Sequence, residues 1–330
     1  MSSVHPTQLP GLVTDAGYAV MMEAYGQEPQ VRAEIFDVMP LQGYEEGFSE
    51  TVIVGADEPD IIKRGEVAPA RTFDQGYQWF AKVDKMAEGI VLTEEMLRDP
   101  DADRKIGGLV RQFSRRFGEG FGRKKEKLAA DLFNFGAFTS GHLATFDGAY
   151  PGHADTYPKF IYDGKPFFAA SGNGHPLFLA QATTKVNFDT NALSSTNLEA
   201  ARILMSRTNA VDEANQTISV TPDVLVVPPE LAQTAEVILG SLQVPGTAQN
   251  DINTLRNRFR LVNWRHLTDT DNWFLGTARR GVKLMDSGDP MLFAEPLNDG
   301  SGSWRVRMIS YFGRVVTDWR FWTAHRSPQS

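Results

Sequence analysis

The sequence predicts an α+β protein made of one long helix, a projecting two-stranded hairpin and a separate mixed α/β domain. Three observations carry this reading. Ile106, Val110, Phe113, Phe117, Phe121, Leu128, Leu132 and Phe135 recur at a mean spacing of about 3.6, the period of one helix face. Two runs of period two, residues 48–54 and 77–83, flank a long polar tip, as the strands of a hairpin do. Val224, Leu225, Val226 and Val227 form a continuous apolar run, the pattern of a strand buried on both faces, and Pro228-Pro229 then opens a helix.

In chain order, residues 1–11 hold Pro6, Pro10 and Gly11 and read as extended or disordered. Residues 14–25 and 29–38 read as two short helices, the second with Pro29 in its first turn. The hairpin follows; a lone two-stranded hairpin is marginal in water, so it is expected to lie on another surface. Residues 93–98 read as a helical turn. The long helix spans residues 100–135: Asp99 caps it, Pro100 suits its first position, Asp101 and Asp103 complement its dipole, and Gly136 offers a left-handed stop. At about 1.5 Å per residue it runs roughly 50 Å, the length of a spine rather than of a core piece. Gly107, Gly108, Gly118, Gly120 and Gly122 each cost about 1 kcal/mol in a helix interior. Either another backbone packs closely on them or the helix bends, and a bend near residues 118–122 is expected. Its polar side carries Arg111, Arg115, Arg116, Arg123, Lys124, Lys125 and Lys127, which is either a solvated face or a surface for a charged partner.

Beyond the spine, residues up to about 191 read as irregular, with a short strand at 166–170. Thr196 and Glu199 form a capping box for a helix over 196–207. Residues 259–264, 273–276 and 282–285 read as further strands of the mixed domain. Two alternating runs around Gly313 close the chain, and their aromatics Trp304, Tyr311, Phe312, Trp319, Phe321 and Trp322 can cover the spine's apolar face. The expected division is an arm (1–43), an extended loop (44–80), a peripheral domain with the spine (81–139), an axial domain (140–300) and return strands (301–330). No internal repeat is found.

Composition narrows the function. The 330 residues are 42% hydrophobic, enough for a large core, and no apolar window is long enough to span a membrane. No basic segment precedes an apolar one at the N-terminus, so no signal peptide is read and the chain is expected in the cytoplasm of its host. The absence of cysteine removes disulfides, thiolate metal sites and a cysteine nucleophile. The net charge of −8 is uneven: residues 1–100 hold 18 acidic and 7 basic side chains, whereas residues 101–140 hold 5 and 9. An acidic arm and loop beside a basic spine suggest that copies meet arm to spine, and the overall acidity argues against gripping nucleic acid through phosphates.

A search for chemistry returns little. His5, His142, His153, His175, His266 and His325 show no metal-ligand spacing, and no serine sits in a nucleophile elbow. Gly118–Gly122 and Gly172–Gly174 lack the strand and Lys-Ser/Thr context of phosphate loops. Glu45-Glu46, Glu94-Glu95 and Asp286/Asp289 are carboxylate pairs explained by surface charge or helix-start acid. The reading is no enzyme, no cofactor and no metal. Pieces unstable alone imply assembly, and an architectural subunit uses every feature.

Against that background the chain resembles the major capsid (head) proteins of tailed bacteriophages, the HK-97-type fold, and within them the Mu-like major head subunits. The segment Thr221-Pro-Asp-Val-Leu-Val-Val-Pro-Pro-Glu-Leu231 carries most of the likeness. Asp163-Gly-Lys-Pro-Phe-Phe-Ala-Ala170, residues 261–267 with Asn272-Trp-Phe-Leu275, and Lys85-Met-Ala-Glu-Gly-Ile-Val-Leu-Thr93 leading into Asp99-Pro100 support it. The order of arm, loop, spine, axial domain and return strands also fits, over residues 12–324. The resemblance implies hexamers and pentamers of identical copies in an icosahedral shell around double-stranded DNA, with each loop lying over a neighbour's spine. It further implies a portal protein, a separate scaffolding protein and decoration proteins as partners, and the virion as location. The residues expected at the contact are Glu45, Glu46, Asp57, Glu58, Lys63 and Arg64 on the loop and Arg111, Arg115 and Arg116 on the spine. Lys63 is also placed for the lysine–asparagine cross-link of some members, though no partner asparagine is identified. The rival readings are an encapsulin-like shell holding cargo and an unrecognised hydrolase.

Overall fold

The computed structural model describes residues 9–41, 47–54, 64, 67, 74–98, 102–136, 161–180, 182–243 and 252–326. The chain opens with helix α1 (Leu9–Gln27), a single turn α2 (Arg32–Ile35) and strand β1 (Asp37–Pro40). Strands β2 (Gly47–Val54) and β3 (Asp74–Leu92) follow, then α3 (Glu94–Arg98) and the spine α4 (Ala102–Asn134). Short strands β4 (His175–Pro176), β5 (Thr184–Lys185) and β6 (Phe188–Asp189) lead to α5 (Ser195–Ile203), β7 (Val224–Val227) and α6 (Pro229–Gly240). The last strands are β8 (Arg260–Asn263), β9 (Asn272–Gly276), β10 (Val282–Asp286), β11 (Met291–Pro296), β12 (Trp304–Val316) and β13 (Trp322–Arg326).

Two sheets organise these elements. One runs β1-β10-β12-β3-β2 with β11 added on β12, and the other runs β6-β13-β9-β7-β8. The 19-residue β3 is much longer than the predicted return strand, because β12 pairs with it from Trp304 opposite Leu92 to Gly313 opposite Val83. Its first part completes the hairpin with β2 and its second part is a ladder of the body. Two strand assignments change sheets. β10, expected among the mixed-domain strands, pairs with β1 and β12 on the spine's side, while β13 crosses to β9 in the other sheet. Sequence proximity suggested otherwise; the pairing follows which edge each strand's buried face can cover.

The spine is helical without interruption through Gly118–Gly122, and two of its glycines, Gly118 and Gly122, are closely packed by another segment. A methyl on Gly118 would run into the Met21 carbonyl oxygen and lie 3.0 Å from the Tyr25 nitrogen, and one on Gly122 would lie 3.1 Å from Glu28 Cβ. α1 therefore seats on the spine through its backbone, with Met21 and Tyr25 joining Phe117, Phe121 and Met308 in one cluster. Gly136 ends the helix differently from expectation. It is not left-handed; the missing side chain makes room for the Phe168 ring, and its carbonyl accepts from Phe168 N at 3.0 Å. The spine is also not purely a spine. Its C-terminal half enters the main core, where Leu128, Ala129, Ala130 and Phe133 are buried. Phe133, absent from the predicted stripe, packs edge-on to Phe274 and Trp322 with centroids 5.2 and 5.0 Å away.

Other local readings shift for stated reasons. Residues 9–11, read as extended or disordered, form the first turn of α1, where Pro10 is tolerated. The second predicted helix shrinks to α2 because residues 37–40 pair parallel to β10. Residues 166–170 are a loop rather than a strand, buried over 166–169, with Ala169 N donating to the Asn187 side chain at 2.7 Å. The cap of α5 is Ser194, whose hydroxyl accepts from Asn197 N at 3.1 Å; Glu199 turns instead to Arg202, at 2.6 Å. The run Val224–Val227 is fully buried, and its helix starts at Pro229 as read.

Candidate assembly surfaces

The spine sorts its basic residues between solvent and core. Arg111, Arg115 and Arg116 are exposed, and Arg115 reaches Glu119 one turn on at 3.7 Å. Arg123 approaches Glu28 at 3.7 Å. Lys125 does not belong to this face. Its side chain is sealed, donating to Asp286 Oδ1 at 2.6 Å and to the Gly288 carbonyl at 3.0 Å. Beside it Glu126 accepts from Arg32 at 2.8 Å and from the Trp264 indole at 3.1 Å, and Arg32 also donates to the Tyr25 hydroxyl at 2.9 Å. Burial pushes the Glu126 carboxyl above its ordinary value, and the Arg32 charge and hydrogen bonds oppose that. These pairs fasten the N-terminal segment to the spine and to the tip of β10.

Between α1 and α4 lies an open groove of about 430 Å³, walled by Val20, Glu23, Ala24 and Gln27 on one side and by Arg111, Gln112 and Arg115 on the other. It brings two of the three predicted spine arginines together on an accessible surface. On the loop side Arg64 is exposed, whereas Glu45, Glu46, Asp57, Glu58 and Lys63 lie outside the described residues. The base of the hairpin is packed on its own body: Trp79, Ala81 and Val83 are buried with Met285 and Val315, and Lys283 stands over the Trp79 ring at 5.4 Å.

Sequence reasoning missed two histidine–aspartate pairs, one sealed and one with a half-buried aspartate. His175 Nδ1 lies 2.7 Å from Asp163 with both side chains sealed, and its ring stacks on Trp319 at 4.4 Å. His325 Nδ1 lies 2.7 Å from Asp189 and stacks on Trp273 at 3.9 Å. Asn187 joins the first pair to the chain end by donating to the Phe167 and Trp322 carbonyls. The second histidine nitrogens meet Asn187 and Thr323, so both pairs are occupied within the framework. Asp286 of the predicted carboxylate pair is committed to Lys125. No group of metal-ligating side chains occurs among the described residues, and no described helix is long and apolar enough to cross a membrane.

The family model for phage capsid protein matches residues 79–324, most of the chain, and the protein belongs to that family. The capsid structure of cyanophage P-SCSP1u superposes over 92% of this chain and 90% of its own, with a TM-score of 0.53 and 12% identity. The capsid of Ralstonia phage GP4 covers 92% of each chain at a TM-score of 0.48 and 12% identity. The capsid of the native GTA particle covers 89% of each at 0.47 and 13%. No curated protein sequence matches. The chain is thus a structural subunit of a phage capsid shell and a component of the virion, not an enzyme. The family match does not favour the encapsulin-like alternative.

Proposed function

We propose that this capsid subunit closes its shell by laying the acidic loop of one copy across the basic spine of the next, in hexamers and pentamers around double-stranded DNA. The observation that carries the contact is the groove between α1 and α4, with Arg111 and Arg115 on its wall and Arg116 exposed nearby. Glu45, Glu46, Asp57 and Glu58 supply the opposite charge from the loop, with Lys63 and Arg64 at its far end. Complementary charge of this kind fixes register and speeds encounter more than it adds affinity. In this reading residues 1–43 act as an arm, 44–80 as the reaching loop, 81–139 as the peripheral body, 140–300 without β10 and β11 as the axial part, and 301–330 without β13 as the return. In the same reading the subunit is of the Mu-like head type and assembles in the host cytoplasm with a separate scaffolding protein, a portal and a decoration protein. DNA is enclosed without sequence reading, in keeping with the net charge of −8.

The test is charge reversal. Arg115→Glu with Arg116→Glu should leave the subunit folded by circular dichroism and abolish closed particles in sedimentation and electron microscopy. Adding Asp57→Lys and Glu58→Lys should restore them in part. Normal shells from the first double variant would remove the loop-to-spine pairing.

A further inference from the structure

The hairpin is not paired evenly along its length. From Gly47 opposite Lys82 to Thr51 opposite Gln78 the strands match residue for residue, but the next pair sets Ile53 opposite Gln75. Val52 on β2 therefore faces two residues of β3, Gly76 and Tyr77. A two-against-one mismatch is a β-bulge, which bends its strand and sharpens the local twist.

What lies on the body side of the bulge is fixed. Trp79 is buried under Lys283, and Lys283 also approaches Glu50 at 3.9 Å. Tyr77, one of the two bulged residues, is gripped from the side by Tyr162 and Phe178, with ring centroids 5.2 and 5.1 Å away. The bend thus starts from an anchored residue. Outside it the described pairs are Ile53 with Gln75 and Val54 with Asp74.

We infer that the Gly76–Tyr77 bulge aims the hairpin: it sets the angle at which the loop leaves its own subunit and hence which surface of a second copy it meets. This rests on the loop-to-spine reading above. Nineteen residues, 55–73, are enough chain to reach out and back over up to about 30 Å. A turn of about 20°, the size of one inter-strand twist, moves the end of a lever that long by about 10 Å, a Debye length at 0.1 M salt. Charges displaced that far no longer pair.

Deleting Gly76 is a clean test, since it leaves Thr51/Gln78 and Ile53/Gln75 in register and sets Val52 against Tyr77 alone. Inserting one glycine after Val52 balances the strands from the other side, and also turns the outer pairs over. The protein has no native cysteine, so spin labels on Val67→Cys and Lys127→Cys, both exposed positions, report the loop's direction in the dissociated subunit. The expected result is a shifted label-to-label distance in both variants, unchanged melting of the subunit, and loss of closed shells. An unchanged distance, or wild-type shells from either variant, overturns the inference. Unfolding of both variants overturns it as well, since the bulge would then serve folding and not direction. If the wild-type chain forms no shells, the shell contact fails on its own, while the distance measurement still decides whether the bulge aims the loop.

Discussion

Lys125 lies two residues from the exposed Arg123, yet its ammonium is sealed from water against Asp286. Removing Lys125 leaves the Asp286 carboxylate with the Arg32 guanidinium, 4.0 Å away, as its remaining cation, so Lys125→Met should destabilise the dissociated subunit by up to about 3–5 kcal/mol in urea unfolding. Lys127→Met, on the solvated side, should change it by less than about 0.5 kcal/mol. Glu126 yields a pH prediction. Its folded carboxyl is raised above the ordinary value, so the folded state binds the extra proton. Its contribution is fully present below the unfolded pKa and is lost as pH rises through the raised folded value. Glu126→Gln should flatten that segment of the Tm-against-pH profile; an unaltered slope would place the titration elsewhere. Sequence periodicity could not tell Lys125 from its neighbours, because at 3.6 residues per turn a flank position faces water or core according to what packs there.

The spine and α1 show how an element's sequence carries two messages at once. The five glycines in the long helix were legible as a conflict with helix propensity, and two of them resolve it by admitting α1. The contrast is testable. Gly120 has open space where a methyl would go, so Gly120→Ala should stabilise by up to about 1 kcal/mol. Gly118→Ala should instead push α1 from its seat and cost about 1–3 kcal/mol by overpacking. Thermal unfolding reads both, and protease release of the N-terminal segment should accompany only the second. Helix existence, the hairpin and the β7–α6 unit were all readable from local pattern. Local pattern could not supply the true length of β3 or the parallel docking of β1, because a strand's extent is decided by a partner more than 200 residues away along the chain.

At the scale of the whole molecule, one core runs from β10 and β12 of one sheet to β7 and β9 of the other, with Phe133 of the spine between them. The two sheets therefore share an interior, and the chain's passage from β12 in one to β13 in the other ties them further. Losing Phe133 should loosen both: Phe133→Ala is expected to cost about 3–5 kcal/mol and to lower both sheets' protection from amide exchange together, whereas separate melting would mean independent units. The surface, by contrast, keeps exposed arginines along an open groove. Amino-acid order alone determined the spine helix, the hairpin, the β7–α6 unit and the acidic-to-basic split, since each is written in short-range spacing or in composition. Only the tertiary structure decided which sheet each late strand joins, which lysine is buried and where the hairpin's register shifts. Those depend on contacts between residues far apart in the chain, whose free energy no local window contains.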